Sequence, residues 1–482
     1  MLSREQQHET NLKAREAVSP TRDRATIDHY SIYHILGLAL LLRSLVPTLA
    51  YLYTGNVATF YAPDTESYVM PARELIANHR YFAYGVPEII RTPGYPLLLI
   101  PGLLLNHLVL TTVMVQIVAS CFTVYMVYRT AQLLFDCETI AITAATLYSI
   151  EPLSIVYTGV IITETLFTAL VMLWLYFLLR YLNRPTPGDL LLSALFLTAS
   201  VYVRPISYFL PEVIGLGLLA WIALSSQEGK RRLVGHVTAF LVVSLALTAV
   251  WQVRNGAETG FFGFSAIAPI EMYFNKGVSV LAAEHHVPFY EMQRRLGYLN
   301  SDVYLADHPE QKTWALAKRL RYMNREGEKI VLSAPLTYAL IHCEGVGRMM
   351  FDPGATDFLK FFGLYPKAGG LLGKLVDVGL VGTVRLILAE QPLLFWSSIV
   401  LGPLQLLFLL PASMVFLSGR LILRPQTIAA LLTITYYVGI AGGPSAVCRY
   451  RHPAMPIIAV LSGYGLCVMW RHGADRKCLE VL

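Results

Sequence analysis

The chain has 482 residues, 55% of them apolar and only 15% charged, with a formal net charge of +6. A soluble surface needs about a quarter of its residues charged, so these proportions exclude a soluble globular protein and a disordered one. The 34 Gly and 26 Pro follow no period, which excludes a collagen-like chain. What remains is an all-α polytopic membrane protein.

Residues 1–30 are polar, balanced in charge and without the short apolar core of a signal peptide, and read as a cytoplasmic tail. The apolar run at 33–53 is long enough to cross the hydrocarbon core at about 1.5 Å per residue. Further runs lie near 108–128, 139–158, 162–180, 189–203, 206–224, 235–252, 394–417, 426–442 and 454–470, giving an expectation of about ten transmembrane helices. Loops holding Arg129, Arg180 with Arg184, Lys230 to Arg232, Arg420 with Arg424, and Arg471 with Arg476 and Lys477 then share one side. Basic residues favour short cytoplasmic loops, so that side is the cytoplasm. Both tails, 1–30 and 471–482, are inside, and residues 31–470 form one membrane domain whose loop 54–107 and segment 253–393 face the other compartment.

Within those external segments, residues 66–79 place Val69, Ala72, Leu75 and Ile76 on one helical face, the pattern of a helix lying in the membrane interface. Residues 312–323 and 371–389 repeat it more weakly. An eleventh span at 371–389 would put the basic C-terminal tail outside, so it too is read as interfacial. The six cysteines lack metal-ligand or CxxC spacing. Cys343 and Cys448, the two placed outside, could form a disulfide on topological grounds alone. His285 and His286 read as a solvated pair. No block of Lys and Arg is interleaved with aromatics, so membrane lipids, and no nucleic acid, are the expected surroundings.

Informative residues are polar groups where polarity is expensive, and they gather on the external side. In YAPDTESY (61–68), Asp64 follows Pro63 and precedes the amphipathic helix. It could cap that helix, or, with Glu66 near it and Tyr68 a turn on, serve as a general base or metal ligand. In RTPGYPLLL (91–99), two prolines and a glycine force a turn after Arg91, ahead of Tyr95 and apolar sequence. Arg91 is either an interfacial anchor or a phosphate contact. Glu164 stands at the outer end of a span, where burying its charge costs roughly 3 kcal/mol unless it is paired. Arg43, inside the first span, could pair with such an acid. Arg204, Arg254, Arg449 and Arg451 all fall at outer ends of spans, the first two beside Pro205 and Asn255 and the last two shortly before Pro453. A guanidinium is always charged and fits phosphate oxygens in bidentate fashion, so several on one face suggest a lipid-borne phosphate or pyrophosphate.

PDTESY, RTPGYPLLL, TETLF, the Arg204–Pro205 pair, WQVRNGAETGFF and RYRHPAMP, in this order over about residues 33–470, resemble the GT-C membrane glycosyltransferases. The similarity is to the branch with the protein O-mannosyltransferases and the lipid A aminoarabinose transferases. The resemblance implies juxtamembrane helices in the first external loop and transfer of a sugar from a polyprenyl-phosphate donor to a glycan, lipid or protein acceptor. It places the reaction on the non-cytoplasmic side, with the bacterial inner membrane as the expected location. The acid of the family's first external loop matches Asp64 and is the one assigned to catalysis. Glu66 matches the second acid loosely, because Thr65 separates the two. Arg91, and Arg449 with Arg451, match arginines of the family's later motifs.

Glycosyl transfer develops positive charge on the sugar and negative charge on the departing phosphate, so it needs fixed cations and a carboxylate near the acceptor hydroxyl. The expectation is that Asp64 deprotonates the acceptor, that Arg91, Arg254, Arg449 and Arg451 stabilise the leaving phosphate, and that Glu164 positions the sugar or neutralises an arginine. A divalent cation, Mg or Mn, between Asp64 and the phosphate is compatible with the sequence but not required by it. The competing readings are a lipid or solute transporter and an oligosaccharide polymerase or ligase using a lipid pyrophosphate.

Overall fold

The computed structural model describes residues 20–225, 229–365, 385, 388–419 and 421–470. Backbone polar groups in hydrocarbon must be satisfied within their own segment, and the apolar runs accordingly form helices. The first, α1 (Pro20–Thr54), already begins within the stretch read as a tail. It is followed by α2 (Thr65–Asn78), α3 (Gly94–Leu104), α4 (Leu108–Phe135), α5 (Glu138–Ser149) and α6 (Pro152–Gly159). Then come α7 (Glu164–Asn183), α8 (Pro187–Val203), α9 (Leu210–Leu224) and α10 (Lys230–Thr259). A cap follows, made of α11 (Ile267–Glu271), a π-helical turn (Met272–Gly277), α12 (Val278–Glu284), α13 (Phe289–Arg295), α14 (Ser301–Asp307), α15 (Leu316–Ser333), α16 (Pro335–Phe351) and α17 (Ala355–Phe361). Helices α18 (Pro392–Ser413), α19 (Pro425–Ala441) and α20 (Met455–Met469) complete the bundle.

The protein is an integral, multi-pass membrane protein. Among the described residues seven helices are long and apolar enough to cross a membrane, or up to nine if each of two bent pairs is one span. The ten apolar runs of the sequence each coincide with helix, but α8 and α19 are shorter apolar helices, and the run at 139–158 is broken into α5 and α6 with a 51° bend at Glu151–Pro152. Proline cannot supply the helical N–H there. Helix α20 runs through the middle of the bundle: residues 455–465 are all buried, and it packs against α5, α4 and α18.

The cap is more regular than the sequence suggested. The weak pattern at 312–323 belongs to α15, and α16 adds a second apolar helix bent 99° from it. The chain turns at Ala334, whose φ of −139° fits the restriction that the ring of Pro335 places on the residue before it. Cys343 is exposed and Cys448 buried, and both are free thiols, which corrects the disulfide allowed by topology. Residues 371–384 and 386–387 lie outside the described residues, so the eleventh-span question falls there, as do 1–19 and 471–482 of the two tails.

The only strands among the described residues, β1 (Phe82–Ala83) and β2 (Val86–Pro87), pair antiparallel with Phe82 opposite Pro87. Their two-residue turn has Tyr84 and Gly85 at φ of 53° and 79°, the double positive φ that matches the twist of a tight hairpin. A close approach explains Gly94 in the RTPGYP motif. A Cβ there would lie 2.7 Å from the Tyr202 carbonyl oxygen, so glycine lets the start of α3 press on the end of α8, next to Arg204.

Candidate active site

At one end of the bundle, five side chains from distant parts of the sequence form an alternating ladder of charge. Arg91 Nη2 donates to Asp64 Oδ1 at 2.9 Å, and Arg449 Nη2 donates to Asp64 Oδ2 at 3.1 Å. Arg449 Nε stands 3.3 Å from Glu164 Oε1, which also accepts from Arg204 Nη1 at 2.8 Å. The Arg449 Nε–H is buried without an aligned acceptor, so that last contact is an ion pair rather than a hydrogen bond. Glu164 is almost wholly buried, while the other four side chains are between 18% and 34% exposed, and so remain reachable from outside.

Local structure explains how each group is aimed. Asp64 directly precedes α2 but makes no capping bond, and its φ and ψ of −80° and −16° are helical rather than extended. The loop is fixed instead by Thr65, whose hydroxyl accepts from Ala62 N and donates to Ile161 O. That leaves the Asp64 carboxylate for the arginines. Arg91 is held through its backbone: Glu88 Oε1 accepts its N–H at 2.9 Å, and Tyr81 Oη donates to its carbonyl at 3.0 Å. Its Nη1 donates to Tyr68 Oη at 3.1 Å. Tyr68 meets Tyr95 edge to face, and Tyr95 is locked by a 2.8 Å bond to Gln116, which in turn holds the carbonyls of Thr158 and Val160. Arg204 and Arg449 both lie over the ring of Tyr450, so the aromatic face adds cation–π attraction.

The remaining candidates stand elsewhere. Glu66 is exposed and pairs with Arg73 at 3.0 Å. Tyr95 is fully buried behind Tyr68. Arg254 donates to the carbonyls of Glu88 and Tyr81 at 2.6 Å each, stapling the hairpin whose base presents Arg91. Arg451 has no exposure and donates to the carbonyls of Met349 and Asp352 and to Gln405 Oε1. Arg43, also without exposure, bonds Ser120, Ser154 and the carbonyls of Tyr148 and Ser149, with no carboxylate in direct contact. Neighbours in sequence, Arg449 and Arg451 diverge because the 3₁₀ turn at Cys448–Ala454 points alternate residues in different directions. Glu88, Gln116 and Tyr450 do not stand out from sequence reasoning. Of these, Glu88 carries a usable signal, an acid among apolar residues three positions before Arg91.

Burial alone would raise the affinity of Asp64 for a proton, but the charges of Arg449 and Arg91 and their hydrogen bonds outweigh it and hold the carboxyl below its ordinary value. In this arrangement Asp64 is an anion and a weak base. Burial pushes the Tyr68 phenol up, so it stays a neutral hydrogen-bonding group. The carboxylates do not suit a divalent cation. Asp64 has both oxygens on guanidiniums, Glu66 is paired with Arg73, and among the described residues no group of three or more His, Cys, Asp or Glu could hold a metal. His285 and His286 are exposed.

Residues 92–253 match the family model described as dolichyl-phosphate-mannose-protein mannosyltransferase. The chain is similar to the GT-C membrane glycosyltransferases. The matched stretch contains Glu164 and Arg204 and begins just after Arg91, with Asp64 and Arg449 outside it. No curated protein sequence matches. Similar solved structures include the archaeal oligosaccharyltransferase AglB from Archaeoglobus fulgidus in complex with an inhibitory peptide and a dolichol-phosphate. It is 12% identical, with a TM-score of 0.49, over 94% of this chain and 51% of that one. The Archaeoglobus fulgidus oligosaccharyltransferase in complex with Zn and sulfate matches at 12% identity and a TM-score of 0.48, over 94% of this chain and 52% of that one. The chain thus spans about half the length of these structures.

Proposed function

We propose that the protein is a glycosyltransferase that moves a sugar from a polyprenyl-phosphate donor to an acceptor on the non-cytoplasmic side of the membrane. The observation that carries this reading is the carboxylate of Asp64 held between Arg91 and Arg449 at the end of the bundle where the apolar helices stop. The ladder contains three guanidiniums and two carboxylates, a surplus of one positive charge. A phosphodiester carries one negative charge, so a sugar on a polyprenyl monophosphate balances the site, whereas a pyrophosphate leaves it over-filled. This count favours the single-phosphate donor over the polymerase or ligase reading.

In the reaction, the bond between the anomeric carbon and the phosphate oxygen breaks as the acceptor oxygen approaches, and negative charge grows on the departing phosphate. Arg91 and Arg449 are aimed to meet it, each with N–H groups beyond those on Asp64. As the phosphate draws the guanidiniums, the Asp64 carboxylate loses the charges that depress its proton affinity and becomes able to take the acceptor proton. Glu164, buried and ionically tied to Arg204 and Arg449, keeps the second arginine oriented. These residues do not fit a divalent cation, so charge balance at the phosphate rests on the guanidiniums.

The test is transfer from a polyprenyl-phosphate sugar by the purified protein in vesicles, with wild type and Asp64→Asn compared. Loss of transfer with normal expression and lipid binding is expected; full turnover by Asp64→Asn overturns the assignment.

A further inference from the structure

The cap brings a further carboxylate, Glu271, to the end of the bundle that carries the ladder. Ala266 N donates to the carbonyl of Ile89 at 2.8 Å and Ser265 Oγ to that of Ile90 at 2.6 Å, so the start of α11 is fastened to the two residues before Arg91. Ile89, Ile270 and Tyr298 share one apolar cluster. Glu271 is therefore fixed over the same end of the bundle, at the last position of α11, where the backbone opens into the π-helical turn. Such turns are rare and are found frequently at functional sites.

The orientation of Glu271 is built. Its Oε2 accepts from Asn275 Nδ2, whose own Oδ1 accepts from Gln293 Nε2, and Gln293 also holds the carbonyl of Phe274. Asn275 and Gln293 are buried, at 4% and 6% exposure, so this support is paid for by desolvation and is not a loose surface contact. Yet Glu271 makes no ion pair among the described residues, and its Oε1 makes no hydrogen bond there. It is half-buried, which raises its carboxyl above the ordinary value against the Asn275 hydrogen bond and the charges of Lys276 and Arg91. Tyr298 packs in the same apolar cluster as Ile89 and Ile270, and its half-buried hydroxyl feels the charges of Glu271, Asp64 and Arg91.

A carboxylate repels phosphate, so the ligand of Glu271 is a neutral group that donates hydrogen bonds. A carboxyl with one oxygen already fixed, beside a phenol, suits the hydroxyls of a pyranose ring. We propose that Glu271, with Tyr298, binds hydroxyl groups of the transferred sugar and sets which sugar is accepted. This rests on the glycosyltransferase reading above and extends it to the sugar end of the donor. A site built to bond a hydroxyl discriminates strongly against an analogue that lacks it, because its own polar groups are then left unpaired.

The experiment uses the full-length protein in phospholipid vesicles and three probes: a polyprenyl phosphate, the same lipid carrying neutral hexoses, and the corresponding monodeoxy hexoses. Wild type should lose about tenfold or more in affinity for at least one deoxy analogue. Glu271→Gln, which keeps size and the Asn275 contact, should shrink that ratio to about twofold without weakening the affinity for bare lipid phosphate. Tyr298→Phe, which removes one hydroxyl and no packing, should lower the same ratio. The inference is overturned if both variants discriminate as wild type does, or if Glu271→Gln weakens bare lipid phosphate as much as the hexose lipids. A wild type that discriminates among sugars but transfers none to any acceptor overturns the glycosyltransferase reading and leaves the sugar site standing.

Discussion

Two sets of arginines sit in this bundle, and they answer the cost of burying a guanidinium in opposite ways. Arg43 and Arg451 are without exposure and bond backbone carbonyls, serine hydroxyls and an amide oxygen. Arg91, Arg204 and Arg449 keep partial exposure and bond carboxylates in a ladder. The first arrangement fastens chain segments that could not otherwise satisfy their carbonyls away from water, and neither side chain reaches the surface. In the second, a carboxylate holds the place that another anion can take, and N–H groups remain. A buried arginine therefore reports on function through the charge of its partners and its access, not through burial itself.

The two sets separate most sharply at Asp64. Asp64→Asn removes the anion shared by two guanidiniums and the proposed base, and transfer should fall by about 10²–10⁴-fold; rates near wild type would make the ladder a second structural fastening. Next is the contrast in stability. Arg451→Met should cost about 2–5 kcal/mol by orphaning the carbonyls of Met349 and Asp352, read as a large fall in Tm in detergent. Arg449→Met should keep most of its Tm, because Asp64 and Glu164 each retain another arginine, while losing affinity for lipid phosphate. Equal Tm losses in both variants would erase the distinction.

A third effect is smaller. Glu164→Gln should raise KM for the donor lipid about tenfold, with a lesser change in kcat, because the amide no longer fixes Arg204 and Arg449 by charge. The pH dependence has a defined sign. The Asp64 carboxyl is held below its unfolded value, so its contribution to stability is present above that value, about pH 4, and is lost as pH falls through the lower folded one. The acid-side decline of Tm should therefore be shallower in Asp64→Asn. The smallest effect belongs to Glu66→Ala, which removes an exposed pair with Arg73 and should cost less than about 1 kcal/mol and leave transfer near wild type.

Much of the outline is legible in the chain. Runs of apolar residues long enough to span a bilayer announce helices whatever their neighbours, and Pro152 and Pro335 mark where two of them bend. Asp64, Arg91, Glu164, Arg204 and Arg449 all stand out as expensive polar groups at helix ends. The same criterion also picks Arg254 and Arg451, which support loops instead, because a position at a helix end says nothing about which way the side chain leaves it. Glu271 carries no such signal: its orientation depends on a turn of π-helix and on Gln293, 18 residues from Asn275.

Composition and hydrophobic run length by themselves determined that this is a helical membrane protein with its charged side chains gathered at helix ends, since the insolubility of an unpaired backbone in lipid leaves few other forms. The tertiary structure alone decided which arginines face carboxylates, which face carbonyls, and that Asp64 lies between two of them. Ion pairing acts over a few ångströms, and residues separated by up to 385 positions, as Asp64 and Arg449 are, come that close only when the helices are packed.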